Sequence, residues 1–215
     1  MKLQVIYCYD AYCGWCFGFS PVIKKLYEEY KTVLHFDVLS GGMILPEKPV
    51  HITATASFIE KEYRNVEETT GVKFGEDYLW HIKNPSDSDW FPNSEKPSVA
   101  LCIFKEIYPE KAVTFATEIE EALFIDGRDL TDDNAFLHIL EKHSVRPEAF
   151  FEKLHNTVYI EMAHYEFAMV KQLQVSGYPT VFVQTGDTKF VMIARGYTDY
   201  ETLKLRLDAV ISEYS

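Results

Sequence analysis

The sequence predicts an α/β protein whose core is interrupted by a large inserted α-helical domain. Three observations lead to this prediction. A strand–helix–strand pattern fills about the first 40 residues, helical periodicity dominates from about residue 50 to 175, and a hairpin followed by a helix closes the chain. With 215 residues, 47% of them hydrophobic, the chain is long enough to bury a sizeable core.

The amino-terminal pattern predicts a βαβ unit. Residues 3–9, LQVIYCY, are rich in β-branched and aromatic side chains and predict a buried strand. Residues 33–40, VLHFDVLS, predict a second strand, which the turn at Gly41-Gly42 ends. Between the strands, apolar side chains recur at the spacing of one helix face: Phe19, Val22, Ile23, Leu26, Tyr27 and Tyr30. Parallel strands joined in this way form a sheet that needs cover on both faces.

The middle of the chain is predicted to be mainly helical. Residues 84–98, rich in Pro, Ser and Asp, predict a long loop within it, either a mobile lid or a surface excursion. The last helix of this region is apolar nearly all round, so we expect it to be buried. The predicted helices span residues 52–69, 96–108, 110–125, 132–143, 147–155 and 158–174.

A strand pattern returns near the carboxyl end. Residues 176–184 and 189–195 predict two strands, and the TGD between them indicates a hairpin. A closing helix is predicted from apolar residues on one face: Leu203, Leu207, Val210, Ile211 and Tyr214. Residues 1–48 and 175–215 are therefore predicted to form one α/β domain, and residues 49–174 the inserted helical domain.

Charge and composition exclude some classes of partner. The net charge is −12 and no basic run occurs, so neither nucleic acid nor an anionic membrane surface is expected. No stretch of about 18 apolar residues could span a bilayer. The start, MKLQVIYCYD, lacks the apolar core of a signal peptide, so with Met1 as the native start we expect a cytoplasmic protein. Structural disulfides are rare there, and the four cysteines therefore indicate thiol chemistry.

The stretch DAYCGWCFGFSP holds the strongest functional signal, Cys13 and Cys16 separated by two residues. Cys13 lies where the first strand passes to its helix, and the unpaired N–H groups there favour a thiolate. Cys16 follows one turn later on the same helix face. Cys13 would attack a substrate disulfide and Cys16 would resolve the mixed disulfide, without a cofactor. Two buried structural cysteines are the alternative, but the strand-to-helix context favours the redox pair.

Several motifs resemble the thioredoxin-fold DsbA family, and its cytosolic, FrnE-like branch in particular. They are Asp10 with CGWCFGFSPV, the LSGGM after the second strand, EALFIDGRDLTDD, and SGYPTVFV before the final hairpin. The resemblance implies a thioredoxin-like fold in which Cys13 is the nucleophile and Cys16 the resolving cysteine. It also implies a cis Tyr178–Pro179 bond, with Pro179 packed beside the sulfurs.

The sequence departs from the family pattern in two places. The dipeptide between the cysteines is Gly14-Trp15 rather than the Pro-His of the periplasmic oxidant, so we expect a less oxidising pair. Tyr7 lies where the family often has a buried carboxylate, so a proton relay for Cys16 must come from elsewhere, with water as one source.

Aromatic side chains crowd the predicted pair. Tyr12, Trp15 and Phe17 are expected to form an apolar lip for a peptide, with core packing as the alternative for Phe17. Tyr12, Trp15 and Tyr178 are therefore the predicted substrate-binding residues. Gly14, Trp15, Tyr178 and Pro179 are predicted to support the active site.

Two metal-binding patterns are weaker alternatives. The plant-type [2Fe–2S] spacing is matched by Cys8, Cys13, Cys16 and Cys102. Those residues fall in a predicted strand and helices, whereas cluster ligands normally come from loops. Two Glu-x-x-His pairs, Glu152 with His155 and Glu161 with His164, each match half of a di-iron site. The two pairs are nine residues apart, so on one helix they would face opposite sides. Core cysteines and solvated helix faces explain both patterns, so no metal is predicted.

The predicted function is that of a cytoplasmic thiol–disulfide oxidoreductase acting on protein disulfides or glutathione-linked thiols. The alternative belongs to another class, because some relatives with similar motifs resemble protease adaptors that use the fold as a protein-binding platform. Trp15, Tyr178 and the aromatic residues of the inserted helical domain would then carry binding, and the thiols would regulate it or have no role. A third branch, the kappa-class glutathione transferases and isomerases, commonly has Ser as the nucleophile, so the intact Cys13–Cys16 pair argues against it.

Overall fold

The structure is a computed structural model that describes residues 3–214, and a four-stranded mixed sheet is at its centre. The strand order is β2-β1-β3-β4; β1 and β2 are parallel, and the other neighbours are antiparallel. The predicted 176–184 strand begins only at Thr180, because the proline before it has no N–H to donate to the sheet. The strands are β1 (Gln4–Tyr9), β2 (His35–Ser40), β3 (Thr180–Gly186) and β4 (Lys189–Arg195).

Nine α-helices occur in the described residues, and seven of them lie between β2 and β3. The predicted α/β class with a helical insertion is confirmed. The nine helices of the described residues are α1 (Gly14–Tyr30), α2 (Ala56–Thr70), α3 (Glu76–Lys83), α4 (Glu95–Ile107), α5 (Ala112–Phe124), α6 (Leu137–Lys142), α7 (Pro147–Leu154), α8 (Thr157–Gln172) and α9 (Tyr200–Tyr214). The sequence did not predict α3.

The strands alternate sides as a pleated sheet requires. Val5, Tyr7 and Tyr9 face the large core that contains α1, whereas Ile6 and Cys8 face Val170 of α8 on the other side. Both faces of the sheet are therefore covered, as the parallel β1–β2 pair requires.

The insertion packs directly on α1, the helix that carries the cysteine pair. Helix α5 runs beside α1, and α2 crosses it where α1 has a glycine. A Cβ built on Gly18 would lie 2.8 Å from side-chain carbons of Val66 and Thr70, so only glycine allows α2 to come this close. One continuous hydrophobic core therefore joins the helical insertion to the sheet. No helix within residues 3–214 is long and apolar enough to cross a membrane.

The prediction that the last helix of the insertion is buried was wrong. In α8 only Ala163, Glu166 and Val170 are buried, a single stripe that faces the sheet and α4, while Tyr165 is 68% exposed. Apolar residues all round a helix do not require burial when only one side has a neighbour. Glu166 is tolerated in that stripe because its carboxylate accepts hydrogen bonds from Lys105 Nζ at 2.6 Å and from the Ser40 N–H at 2.9 Å.

Candidate active site

Cys13 lies in the short turn between β1 and α1, at the position that caps the helix. Its N–H donates to the Asp10 carbonyl at 3.0 Å, and its backbone is extended. The Cys13 Sγ accepts the Cys16 N–H at 3.3 Å, so the sulfur takes the place of an N-cap oxygen. A negative charge on this sulfur is stabilised by that N–H and by the helix dipole.

Cys16 occupies a different environment one turn further on. It has no exposed surface, whereas Cys13 is 7% exposed. Burial, and then the neighbouring Cys13 thiol, raise the pKa of Cys16 well above its usual value. Both cysteines are free thiols in the structure. The two sulfurs are therefore unequal, because only Cys13 keeps some exposed surface and lies at the helix end that favours a thiolate.

The loop before β3 closes over Cys13 from the other side of the core. The Tyr178–Pro179 bond is cis, as the resemblance implies, and the Tyr178 carbonyl lies 3.7 Å from Cys13 Sγ. The Tyr178 hydroxyl donates to the Gly41 carbonyl at 3.1 Å. A Cβ on Gly41 would lie 2.1 Å from the Tyr178 phenol, so this glycine makes room for a ring beside the nucleophile. The sequence predicted a turn at this position and gave no sign of the close approach.

Asp10 joins three parts of the site. One carboxylate oxygen accepts the Tyr12 N–H at 3.0 Å and the Ser94 hydroxyl at 2.9 Å, and the other accepts the Met43 N–H at 2.7 Å. The side chain is fully buried, which raises its pKa, and these hydrogen bonds oppose the rise. Asp10 therefore fixes the turn that carries Cys13, the loop after β2 and the start of α4 relative to one another.

A groove of about 540 Å³ opens beside Cys13. Its walls come from α2, α3 and the loop before β3, and Phe58 on its rim is 67% exposed. Glu62 is the one charged side chain in a lining that is otherwise mostly apolar and aromatic. The lining residues are Tyr12, Cys13, Gly14, Trp15, Met43, Phe58, Ile59, Glu62, Tyr63, Val66, Phe74, Tyr78, Phe124, Val175, Ser176, Gly177 and Tyr178.

The structure thus gathers most of the predicted site residues. Tyr12, Trp15 and Tyr178 border the groove with Cys13, and their role in binding stays a prediction. Phe17 does not line the groove; its ring centroid lies 5.1 Å from that of Phe74 and equally far from that of Phe124, so it is a core residue. The proposed apolar lip therefore does not include Phe17.

Sequence reasoning missed a buried carboxylate near the pair, that of Glu120 on α5. The side chain has no exposed surface and contacts the Ser20 hydroxyl of α1. Burial raises the pKa of Glu120 well above its usual value. Its one sequence signal is helical phase, because it falls on the same face as the buried Ala116 and Leu123.

The remaining cysteines lie apart from the pair. Cys8 faces α8 on the opposite side of the sheet, and burial raises its pKa to about 12. The Cys102 Sγ lies 3.5 Å from a Glu166 carboxylate oxygen, and burial also raises its pKa. The sheet therefore separates Cys8 from Cys13 and Cys16, which is incompatible with a shared [2Fe–2S] cluster. Neither Cys8 nor Cys102 borders the groove beside Cys13.

A mixed sheet in β-α-β and β-β-α halves, with a helix-capping CxxC beside a cis-proline loop, defines the class of thioredoxin-fold dithiol proteins. The profile of the DSBA-like thioredoxin domain matches residues 4–208, so the chain belongs to that family. The predicted thioredoxin-like fold and family are thereby confirmed.

Solved structures of similar fold cover nearly the whole chain. A candidate protein disulfide isomerase from Nitrosomonas europaea is 23% identical with a TM-score of 0.87, and the alignment covers 100% of both chains. The cytosolic disulfide reductase DsbM from Pseudomonas aeruginosa is 21% identical with a TM-score of 0.76, covering 98% of this chain and 99% of that one. A second structure of DsbM, with GSH, has a TM-score of 0.74. At these identities the likeness shows the fold alone.

The curated relatives that match the chain are adapter proteins rather than disulfide reductases or isomerases. The ClpXP adapter protein SpxH of Bacillus subtilis is 23% identical over 185 residues, covering 83% of this chain. The SpxH of Halalkalibacterium halodurans is 21% identical over 182 residues, with the same coverage. The match spans 57% of the length of each of these relatives.

Proposed function

We propose that the chain is a thiol–disulfide oxidoreductase in which Cys13 attacks and Cys16 resolves. The observation that carries the proposal is the inequality of the two sulfurs at one helix start. Cys13 Sγ accepts the Cys16 N–H and borders the groove, whereas Cys16 is fully buried. A nucleophile needs access and a stabilised thiolate, and a resolving thiol needs only to reach its partner.

The exchange proceeds in two balanced steps. The Cys13 thiolate attacks one sulfur of the substrate disulfide, a bond forms between them, and the other substrate sulfur leaves as a thiolate. Cys16 then attacks Cys13 Sγ, so that the Cys13–Cys16 bond forms and the second substrate sulfur leaves. The substrate gains two electrons and the dithiol loses two. The reverse sequence oxidises a substrate dithiol, and neither direction uses a cofactor.

The groove indicates the kind of substrate. Its apolar walls and the exposed Phe58 ring suit an extended protein segment whose side chains are apolar, held next to the disulfide that Cys13 attacks. Disulfides of proteins, including those formed with glutathione, are the proposed substrates. The solved DsbM structure with GSH supports glutathione as a partner. A cytoplasmic location, and the absence of nucleic-acid and membrane partners, stay predictions.

Trapping tests the proposed roles. A Cys16→Ser variant mixed with a peptide disulfide should accumulate a covalent adduct on Cys13, identified by peptide mass spectrometry, because nothing resolves it. A Cys13→Ser variant is the matched control and should form no adduct. Equal trapping by the two variants would contradict the assignment.

A second candidate function is that of a protein-binding adapter for a protease. The similarity to SpxH favours it, and the exposed aromatic rim of the groove offers a binding surface. The variant with Cys13 and Cys16 both replaced by Ser distinguishes the two functions. An adapter keeps its cellular activity in that variant, whereas an oxidoreductase loses it.

A further inference from the structure

A group of buried polar atoms lies beneath the dithiol, and the two-step exchange does not account for it. The hydroxyls of Tyr7 and Tyr9 and the Oε1 atom of Glu120 are buried, and none has a hydrogen-bond partner within residues 3–214. The Tyr7 hydroxyl faces the Cys16 thiol, and Glu120 is joined to Cys16 through Ser20, whose hydroxyl contacts the Glu120 carboxyl and the Cys16 carbonyl oxygen. Unpaired polar atoms are costly in a core, so a cluster of them next to a reactive thiol needs an explanation.

The hydrogen bonding around Ser20 indicates that Glu120 is neutral at rest. The Ser20 hydroxyl contacts the other Glu120 oxygen and lies 3.3 Å from the Cys16 carbonyl oxygen. One hydroxyl proton cannot serve two acceptors. A carboxyl proton donated by Glu120 to Ser20, with Ser20 donating to the Cys16 carbonyl, satisfies all three groups.

The surroundings of Glu120 agree with a neutral carboxyl. The groups that face it are Tyr7 and Tyr9 from β1, Asp10 from the turn, Cys13, Cys16 and Ser20 from α1, and Glu121 from its own helix. None of these is a cation. An ionised carboxylate here would be desolvated and would have only the Ser20 hydroxyl to stabilise it.

We propose that Glu120 exchanges a proton with Cys16 during the resolving step. This inference rests on the proposed oxidoreductase function. As Cys16 Sγ bonds to Cys13 Sγ, the bond between Cys13 and the substrate breaks and the substrate sulfur leaves with the electron pair. This step starts from the fraction of molecules in which Glu120 has already lost its own proton, a fraction that grows with pH. The Cys16 proton passes to that carboxylate, which accepts the Ser20 hydroxyl. In the reverse direction neutral Glu120 returns the proton to Cys16 as the Cys13–Cys16 bond breaks.

The assignment gives the helical insertion a chemical role. Cys16 has no exposed surface, so the group that takes its proton must itself lie in the core, as Glu120 does. Tyr7, on the strand below, has a pKa that burial raises further, so it does not serve as the base. Glu120 reaches the dithiol from α5, outside the α/β core, and acts on Cys16 as a proton-exchanging residue.

The test separates the two steps of exchange kinetically. Reduced protein mixed with 4,4′-dithiodipyridine should release one 4-thiopyridone as Cys13 attacks and a second as Cys16 resolves, and the second phase should not depend on reagent concentration. In the wild type the second-phase rate should rise with pH and then level off as Glu120 ionises. In Glu120→Gln it should be at least about tenfold slower at pH 7 and should keep rising with pH. The first phase should change less than threefold.

Controls keep the outcomes distinct. Glu121→Gln removes the neighbouring, half-exposed carboxylate and should leave the first phase and the high-pH rate of the second phase unchanged. Because Glu121 raises the pKa of Glu120, the pH at which the second phase levels off should move only slightly downward in this variant. A Glu120→Gln second phase within twofold of the wild-type rate, with the same pH profile, overturns the assignment. A wild type that releases no second 4-thiopyridone contradicts the oxidoreductase function itself.

A second variant covers the case in which Glu120→Gln does not fold. Ser20→Ala removes the hydrogen-bond donor of the ionised carboxylate, so the pH at which the second phase levels off should move upward. A levelling pH that stays the same in Ser20→Ala overturns the assignment.

Discussion

Replacing Gly41 with alanine should displace Tyr178 from its place beside the nucleophile. The added Cβ would lie 2.1 Å from the phenol, about 1.3 Å short of ordinary van der Waals contact at 3.4 Å. The ring cannot stay where it is, and its hydrogen bond to the Gly41 carbonyl is lost with the movement. The Tyr178 carbonyl lies 3.7 Å from Cys13 Sγ, so any shift of the Tyr178 backbone that accompanies the ring also disturbs the surroundings of the reactive sulfur.

The expected destabilisation by Gly41→Ala has two sources, the overpacking of the site and the loss of one hydrogen bond. Forcing extra volume into a packed site costs about 1–3 kcal/mol, and a lost hydrogen bond about 1 kcal/mol, so the free energy of unfolding should fall by about 2–4 kcal/mol. A displacement of more than 1 Å at a reacting centre can lower a rate by about two orders of magnitude. We expect disulfide exchange by folded Gly41→Ala to be slower by about tenfold to a hundredfold.

The assay combines urea denaturation with the rate of exchange on a peptide disulfide, measured where every variant is folded. Gly177→Ala is the matched control, because a Cβ on that residue meets no atom within 4 Å. Its unfolding free energy should change by less than about 1 kcal/mol. In a Tyr178→Ala background, Gly41→Ala should cost little, since the ring is gone. A full cost in that background, or no cost in the wild type, would refute the reasoning.

Two other substitutions test the charges of the core. Lys105→Met leaves Glu166 buried without its ion pair and should lower the free energy of unfolding by about 3–5 kcal/mol. The control Lys24→Met removes one partner of an exposed ion pair and should lower it by less than about 1 kcal/mol. Equal losses for the two variants in urea denaturation would contradict this reasoning. Burial raises the pKa of Glu120, so the folded state binds more protons and wild-type stability should fall as pH rises above the unfolded carboxyl pKa. Glu120→Gln should remove that fall, about 1.4 kcal/mol for each pKa unit of the rise, and parallel stability–pH curves for the two proteins would contradict it.

The parts of the site that depend on local sequence could be predicted. The β1 and α1 patterns meet at Cys13, so the residue order alone is enough to predict a cysteine pair at a helix start. The turn at Gly41 was predicted too, but its reason was not, because the ring that needs the space comes from Tyr178, far along the chain. Contacts between distant segments leave no trace in local periodicity.

Glu120 shows the same limit for a charged residue. It stands in the run EIEE, which resembles a solvated helix face, and its contact with Ser20 joins residues one hundred positions apart. The exposed outer side of α8 is the reverse case, since Tyr165 belongs to an apolar helix that has a neighbour on one side alone. Which face of a helix is buried depends on packing, and composition does not determine it.

The most direct test of the central claim is a glutathione redox titration of the chain, read by alkylation and peptide mass spectrometry. Cys13 and Cys16 should lose alkylation together in one two-electron step, while buried Cys8 and Cys102 should show no such transition. If no Cys13–Cys16 disulfide forms at any ratio of reduced to oxidised glutathione, the chain is not a dithiol oxidoreductase.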